Sequence, residues 1–104
     1  MKTIEWDGSS GKNYKYWIFE IDYAFKPKQP ANYIFARETK EHQWRPVFIG
    51  QTDDLGEGFE KHRKIQCIRQ NGATHIHAHK NKKPEKRLSE EADMVNHWHP
   101  VCND

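Results

Sequence analysis

The sequence predicts an α+β fold: a small antiparallel sheet of three strands plus an N-terminal extra strand, flanked by helices. Three observations predict it. Strand-like runs, alternating or wholly apolar, occur at 14–25, 33–36, 46–50 and 73–80. Helical spacing of apolar residues appears only after the third of these runs and again after Pro84. The connection between the second and third strands is short, which favours an antiparallel pair over a crossover. A chain of 104 residues supports one domain, burying roughly 60–68% of its unfolded surface.

Each element has its reason. Residues 1–13 are polar and include Gly8, Ser9, Ser10 and Gly11, as expected of a loose arm. From Tyr14 to Phe25, Trp17, Phe19, Ile21 and Tyr23 alternate against Tyr16, Glu20 and Asp22, the pattern of a strand with one buried and one wetter face. Pro27 and Pro30 break the chain. Tyr33 to Ala36 reads as a second strand, Arg37 to Arg45 as a polar turn, and the almost wholly apolar Pro46 to Gly50 as a central third strand. Thr52 or Asp53 can cap a helix whose face carries Leu55, Phe59, His62, Ile65 and Ile68. Asn71-Gly72 supplies its left-handed stop. Ala73 to Lys80 sets Ile76 and Ala78 on one side and His75, His77 and His79 on the other. Pro84 suits the first turn of a last helix, and Pro100 ends it.

Composition narrows the function classes. The apolar fraction is 35% and the charged fraction 31%, so the core is thin and its four Trp, four Tyr and five Phe must supply much of it. No apolar run approaches the roughly 20 residues of a membrane span, and the first residues lack the form of a secretion signal. Two cysteines, Cys67 and Cys102, are too few for a disulfide framework, so a reducing cytoplasm is the expected location. The net charge of +2 hides a segregation: residues 61–87 hold nine Lys or Arg and one acid, Glu85, while the rest of the chain is net acidic. Such asymmetry is the footprint of a phosphate-bearing partner, although a solvated surface gives the same count.

Several residues are candidates for chemistry. On the last helix, Leu88, Ala92, Val95 and Trp98 share a stripe with Glu91, and Glu90 points the opposite way. A carboxylate facing a core is costly unless paired, protonated or bound to a cation. Glu91 is therefore a metal ligand, a general acid or base, or half of a buried pair. His75, His77 and His79, with His97, His99 and Cys102, invite zinc, but no spacing matches a standard structural zinc motif and zinc is not expected. Lys80, Lys82, Lys83, Lys86 and Arg87, with Arg63 and Lys64, can line a phosphate track whose binding weakens steeply with salt.

Together these pieces resemble the GIY-YIG nuclease family. Ala31-Asn32-Tyr33 looks like the first signature triplet and Phe48-Ile49-Gly50 like the second. Gln51-Thr52-Asp53-Asp54-Leu55 is similar to the start of the family's first helix, and Gln70-Asn71-Gly72-Ala73 to the exit into its third strand. Glu90 to Val95, followed by Pro100 and Asn103, resembles the closing helix with its acid and Pro-x-x-Asn end. The resemblance covers residues 31–104, leaving residues 1–30 as an extension with one aromatic strand. It implies phosphodiester cleavage with one divalent cation, Mg²⁺ or Mn²⁺. Glu91 would be the metal ligand, Tyr33 a tyrosine near the attacking water, His62 a group orienting the scissile phosphate, and Asn103 a tie for the end of the last helix. Two positions depart from the pattern. Phe48 replaces the second triplet's tyrosine, and the family's arginine falls at Gly58, which has no side chain to stabilise a phosphorane-like transition state. Arg37 or Arg45 can be imagined as substitutes.

The expected function is a GIY-YIG-like domain with a degenerate site that binds nucleic acid, DNA rather than RNA, through Arg63, Lys64, Lys80, Lys82, Lys83 and Arg87, with cleavage lost or reduced. The alternatives are an active metal-dependent endonuclease with an altered site, and a non-catalytic protein-interaction module using the aromatic strand.

Overall fold

The computed structural model describes residues 2–104. Its strands are Thr3–Asp7 (β1), Asn13–Glu20 (β2), Ala31–Lys40 (β3), Gln43–Thr52 (β4) and His75–Lys80 (β5). The helices are Ile65–Gln70 (α1) and Pro84–Trp98 (α2), with short 3₁₀ turns at Leu55–Glu57 and Val101–Asn103. The strands form one sheet in the order β1-β2-β5-β3-β4, with every neighbouring pair antiparallel. The α+β class therefore holds, with five strands where the sequence suggested four.

The extra strand comes from the supposed arm. Trp6 is buried in β1 and donates its indole N–H to His77 Nδ1 at 3.0 Å, which ties the N-terminus across the sheet. Its hydrophobic and hydrogen-bonding contributions outweigh the polar character of its neighbours. The polar turn expected at 37–45 shrinks to Glu41-His42, because β3 and β4 continue as a hairpin through Arg37, Arg45 and Trp44. β4 lies at the sheet edge rather than the centre. Its apolar run reflects cover on both faces, and Asn103 closes its outer side by accepting from Ile49 N–H and donating to Ile49 C=O.

Two cores flank the sheet. One face gathers Tyr33, Phe35, Phe48, Leu55, Ile68, Ile76 and Ala78; the other gathers Trp6, Tyr16, Ile34, Ile49 and Met94 beneath α2. With both faces covered, β2 has no simple dry side. Tyr16, expected on the wetter face, is fully buried, and Trp17, expected inside, is 42% exposed. Register sets Trp17 opposite Ala78, Ala78 opposite Tyr33, and Tyr33 opposite Gly50, so these four form one row across the sheet.

The first expected helix is broken. Asp54, rather than Thr52 or Asp53, caps the turn by accepting from Gly56 N–H, and it also accepts from Lys28 and Gln29. Gly58 has φ +74°, a left-handed value that ends the turn at a position where glycine avoids strain. Only residues 65–70 complete α-helical turns. Cys67 on α1 and Cys102 in the C-terminal turn are joined by a disulfide, with their Cα atoms 5.9 Å apart. A single bridge thus exists where the cysteine count suggested none.

Candidate active site

Tyr33 stands near the middle of the sheet row, and Gly50 opposite it has a steric purpose. A Cβ at residue 50 would lie 2.7 Å from the Tyr33 hydroxyl and 2.8 Å from the Phe48 ring, so only glycine lets the phenol reach this edge. The Tyr33 oxygen is 2.8 Å from His62 Nε2. His62 Nδ1 accepts the Lys64 main-chain N–H at 3.0 Å, which places the proton of the neutral ring on Nε2. His62 therefore donates to Tyr33, leaving the phenol's own O–H free for another acceptor. Burial and the neighbouring Arg63 both lower the His62 pKa, keeping it neutral near pH 7.

Glu91 faces the same corner. Burial pushes its carboxyl up, while Arg63 and the main chain of Gln51 favour the anion. Tyr33 is in turn raised by burial and by the Glu91 charge, and lowered by Arg63. Tyr33, His62, Glu91 and Arg63 are thus one electrostatic group, built from β3, the loop before α1, and α2. Phe48 stands edge-on to His62 at 4.9 Å. It holds the imidazole as a tyrosine ring would, without adding a hydroxyl.

The charge of Arg63, which the sequence placed only on a phosphate track, reaches this corner and lowers the pKa of Tyr33, His62 and Glu91. Gly58 sits in a turn with open space around it, so the arginine expected there has no helix to stand on. Arg37 and Arg45 do not enter the corner. They line a separate cleft with Asn71, Trp98 and His99.

On α2 the helical phase differs from the expected stripe. Arg87, Glu90 and Met94 are buried, and Leu88 is exposed. Glu90, expected to point away, accepts from the Tyr16 hydroxyl at 2.5 Å and lies 2.7 Å from His79 Nε2. A rotation of one residue moves the helix face by 100°, and the polar groups on the sheet decide the winner: Tyr16 and His79 need an acceptor that Leu88 cannot provide. Arg87 is likewise turned inward. Its guanidinium donates to Gln51 Oε1 at 2.9 Å and to the carbonyls of Asn81 and Lys82, so it braces the fold rather than facing a partner. Arg63, Lys80, Lys82 and Lys83 are exposed, and Lys64 is half-buried with its ammonium on the Asp104 main-chain oxygen. Among the described residues, every ion pair is between a histidine and a carboxylate, so Arg63, Lys80, Lys82 and Lys83 are free to meet phosphates.

The strand histidines are already engaged. His77 accepts from Trp6, His79 Nδ1 is 3.1 Å from the Lys80 carbonyl, and His75 contacts Thr74 and lies near Glu20. With Cys102 in the disulfide, the sulfur candidate for zinc is spent. Among the described residues no three His, Cys, Asp or Glu side chains gather as a metal cage. A hydrated Mg²⁺ or Mn²⁺ makes a smaller demand, since such ions keep several waters and bind through one or two carboxylates. Glu91, half-buried and destabilised as an anion by that burial, suits this requirement. No helix among the described residues is long and apolar enough to cross a membrane.

Comparison with protein-family models, with curated proteins and with solved structures finds no match to this chain.

Proposed function

We propose that the chain is a nucleic-acid-binding domain of GIY-YIG type with reduced, divalent-metal-dependent phosphodiester cleavage. The observation that carries this reading is the 2.8 Å contact between Tyr33 and His62, with Arg63 near enough to shift both groups and Glu91 near enough to shift Tyr33. Glu91 would hold the hydrated cation, which would supply charge to offset that developing on the phosphate. His62 fixes the Tyr33 oxygen and leaves its O–H to orient the attacking water. Arg63 offers the guanidinium to the phosphate, a stabilisation whose loss typically costs about 10²–10³ in rate. Exposed Lys80, Lys82 and Lys83 bind backbone phosphates outside the corner.

Cleavage is expected to be slow for two reasons. Phe48 brings no hydroxyl, and Arg63 sits on a loop with no ion-pair partner among the described residues to hold it. The test pairs binding with cleavage. Wild-type protein should bind DNA with a strong salt dependence and nick plasmid slowly when Mn²⁺ or Mg²⁺ is added. Glu91→Ala should bind equally and not nick. Equal nicking by both proteins would assign the activity to a contaminant, and no binding at low salt would remove the nucleic-acid reading altogether.

A further inference from the structure

A second feature lies on the same sheet face, two strands from Tyr33. Trp17, Phe19, Tyr23 and Phe25, with Lys26 and Lys80, line a cleft of 560 Å³, within the size range of ordinary ligand pockets. Three of the rings hold one another in place: Phe19, Tyr23 and Phe25 have pairwise centroid distances of 4.8 to 4.9 Å. Trp17 and Tyr23 are 42% and 50% exposed. A preformed aromatic wall left facing water marks a binding surface rather than a core.

Charge selects the occupant. Among the described residues no carboxylate lines the cleft, and Lys26 and Lys80 do. The Lys15 ammonium also stands 5.6 Å from the Trp17 ring centre. Ring faces beside several cations suit a nucleobase with its phosphate: base faces stack on aromatics, and the backbone follows the positive charge. Duplex bases present only their edges, so the base must be unpaired. Register supplies the continuity. Trp17 and Tyr33 are separated only by Ala78, whose methyl leaves the floor between them low. Two strand spacings make that separation roughly 10 Å, close enough for neighbouring nucleotides of one strand to occupy both places.

We propose that this cleft is a stacking subsite for an unpaired base of a DNA strand whose phosphate lies at the Tyr33–Glu91 corner. The proposal rests on the nucleic-acid reading of that corner and adds its substrate class: single-stranded or frayed DNA rather than uninterrupted duplex.

Fluorescence anisotropy with three labelled probes tests it: a single-stranded oligothymidylate, an abasic strand of equal length and charge, and a duplex. Wild type should prefer the base-bearing strand. Trp17→Ala should weaken that binding about 5- to 150-fold, the range of one lost base–aromatic stack. The same variant should leave abasic-strand and duplex binding unchanged, and Trp17→Phe should restore most of the loss. Trp17 is exposed, so these variants should fold, which an unaltered thermal melt verifies. Equal affinity for base-bearing and abasic strands overturns the subsite while leaving phosphate binding intact. Tighter binding of a matched RNA strand overturns the DNA assignment. Base-selective binding without any metal-dependent nicking keeps the subsite and removes the cleavage reading, so the two can fail separately.

Discussion

His77 should make the fold sensitive to mild acid. It is fully buried, and its Nδ1 accepts from Trp6 Nε1–H. The neutral ring therefore carries its proton on Nε2, which is buried with no hydrogen-bond partner among the described residues, and the Trp44 ring stands perpendicular at 4.5 Å. A second proton on Nδ1 would set two N–H donors against each other. Burial, and then the nearby His75, lower the His77 pKa to about 3 from its ordinary 6.5. Below pH 6.5 the unfolded chain binds a proton here that the folded chain refuses, so stability falls as pH falls. Each unit is worth about 1.4 kcal/mol. Between pH 7.5 and 4.5 the loss from this one residue should be about 3 kcal/mol, a large share of the roughly 5–15 kcal/mol that stabilises a domain. Urea unfolding followed by tryptophan fluorescence at the two pH values measures it. His77→Leu should be less stable at pH 7.5, because Trp6 loses its acceptor, yet should lose about 3 kcal/mol less on acidification. His62 titrates in the same direction but is present in both proteins, so the difference isolates His77. Equal acid losses in wild type and variant would refute the reasoning.

Three other outcomes follow from the geometry. Gly50→Ala should destabilise by about 1–3 kcal/mol through overpacking against Tyr33 and Phe48, lowering the melting temperature and abolishing any Mn²⁺-dependent nicking. Replacing both Cys67 and Cys102 by alanine opens a loop of sequence separation 35. On the chain-entropy account this costs about 4 kcal/mol, read as a lower urea midpoint than that of oxidised wild type. Arg87→Met and Lys82→Ala should separate bracing from binding. The first strands acceptors at Gln51, Asn81 and Lys82 and should lower the melting temperature. The second should leave stability unchanged and reduce the salt slope of DNA binding by about 1.

Much of the candidate corner was legible in the sequence because its residues lie where local pattern is strong. Tyr33, Phe48 and Gly50 belong to apolar runs that could only be strands, and Glu91 is a carboxylate on a helix started by Pro84. The tautomer of His62 was not legible. It depends on the Lys64 N–H, a contact made in the turns between Gly58 and α1. Arg63 was visible as a charge but not as a member of the corner, since a continuous helix from residue 52 would have carried it elsewhere. The Glu90–Tyr16–His79 cluster was also hidden. The sequence of α2 favours the more apolar stripe of Leu88, Ala92, Val95 and Trp98, and the inward turn of Glu90 is decided by polar atoms on strands far away in the chain.

By itself the sequence determined the α+β class, the antiparallel pairing of β3 with β4, the last helix and its start at Pro84, and the basic character of residues 61–87. These follow from periodicity, breakers and charge, which act over a few residues. Tertiary structure alone decided that the N-terminal residues close the sheet as a fifth strand, that Trp17 faces outward beside a cleft, and that the Arg63 charge lies near enough to shift Tyr33, His62 and Glu91. Those outcomes depend on which distant groups need a partner or cover: Trp6 finds His77 across 71 residues, and Tyr16 finds Glu90 across 74.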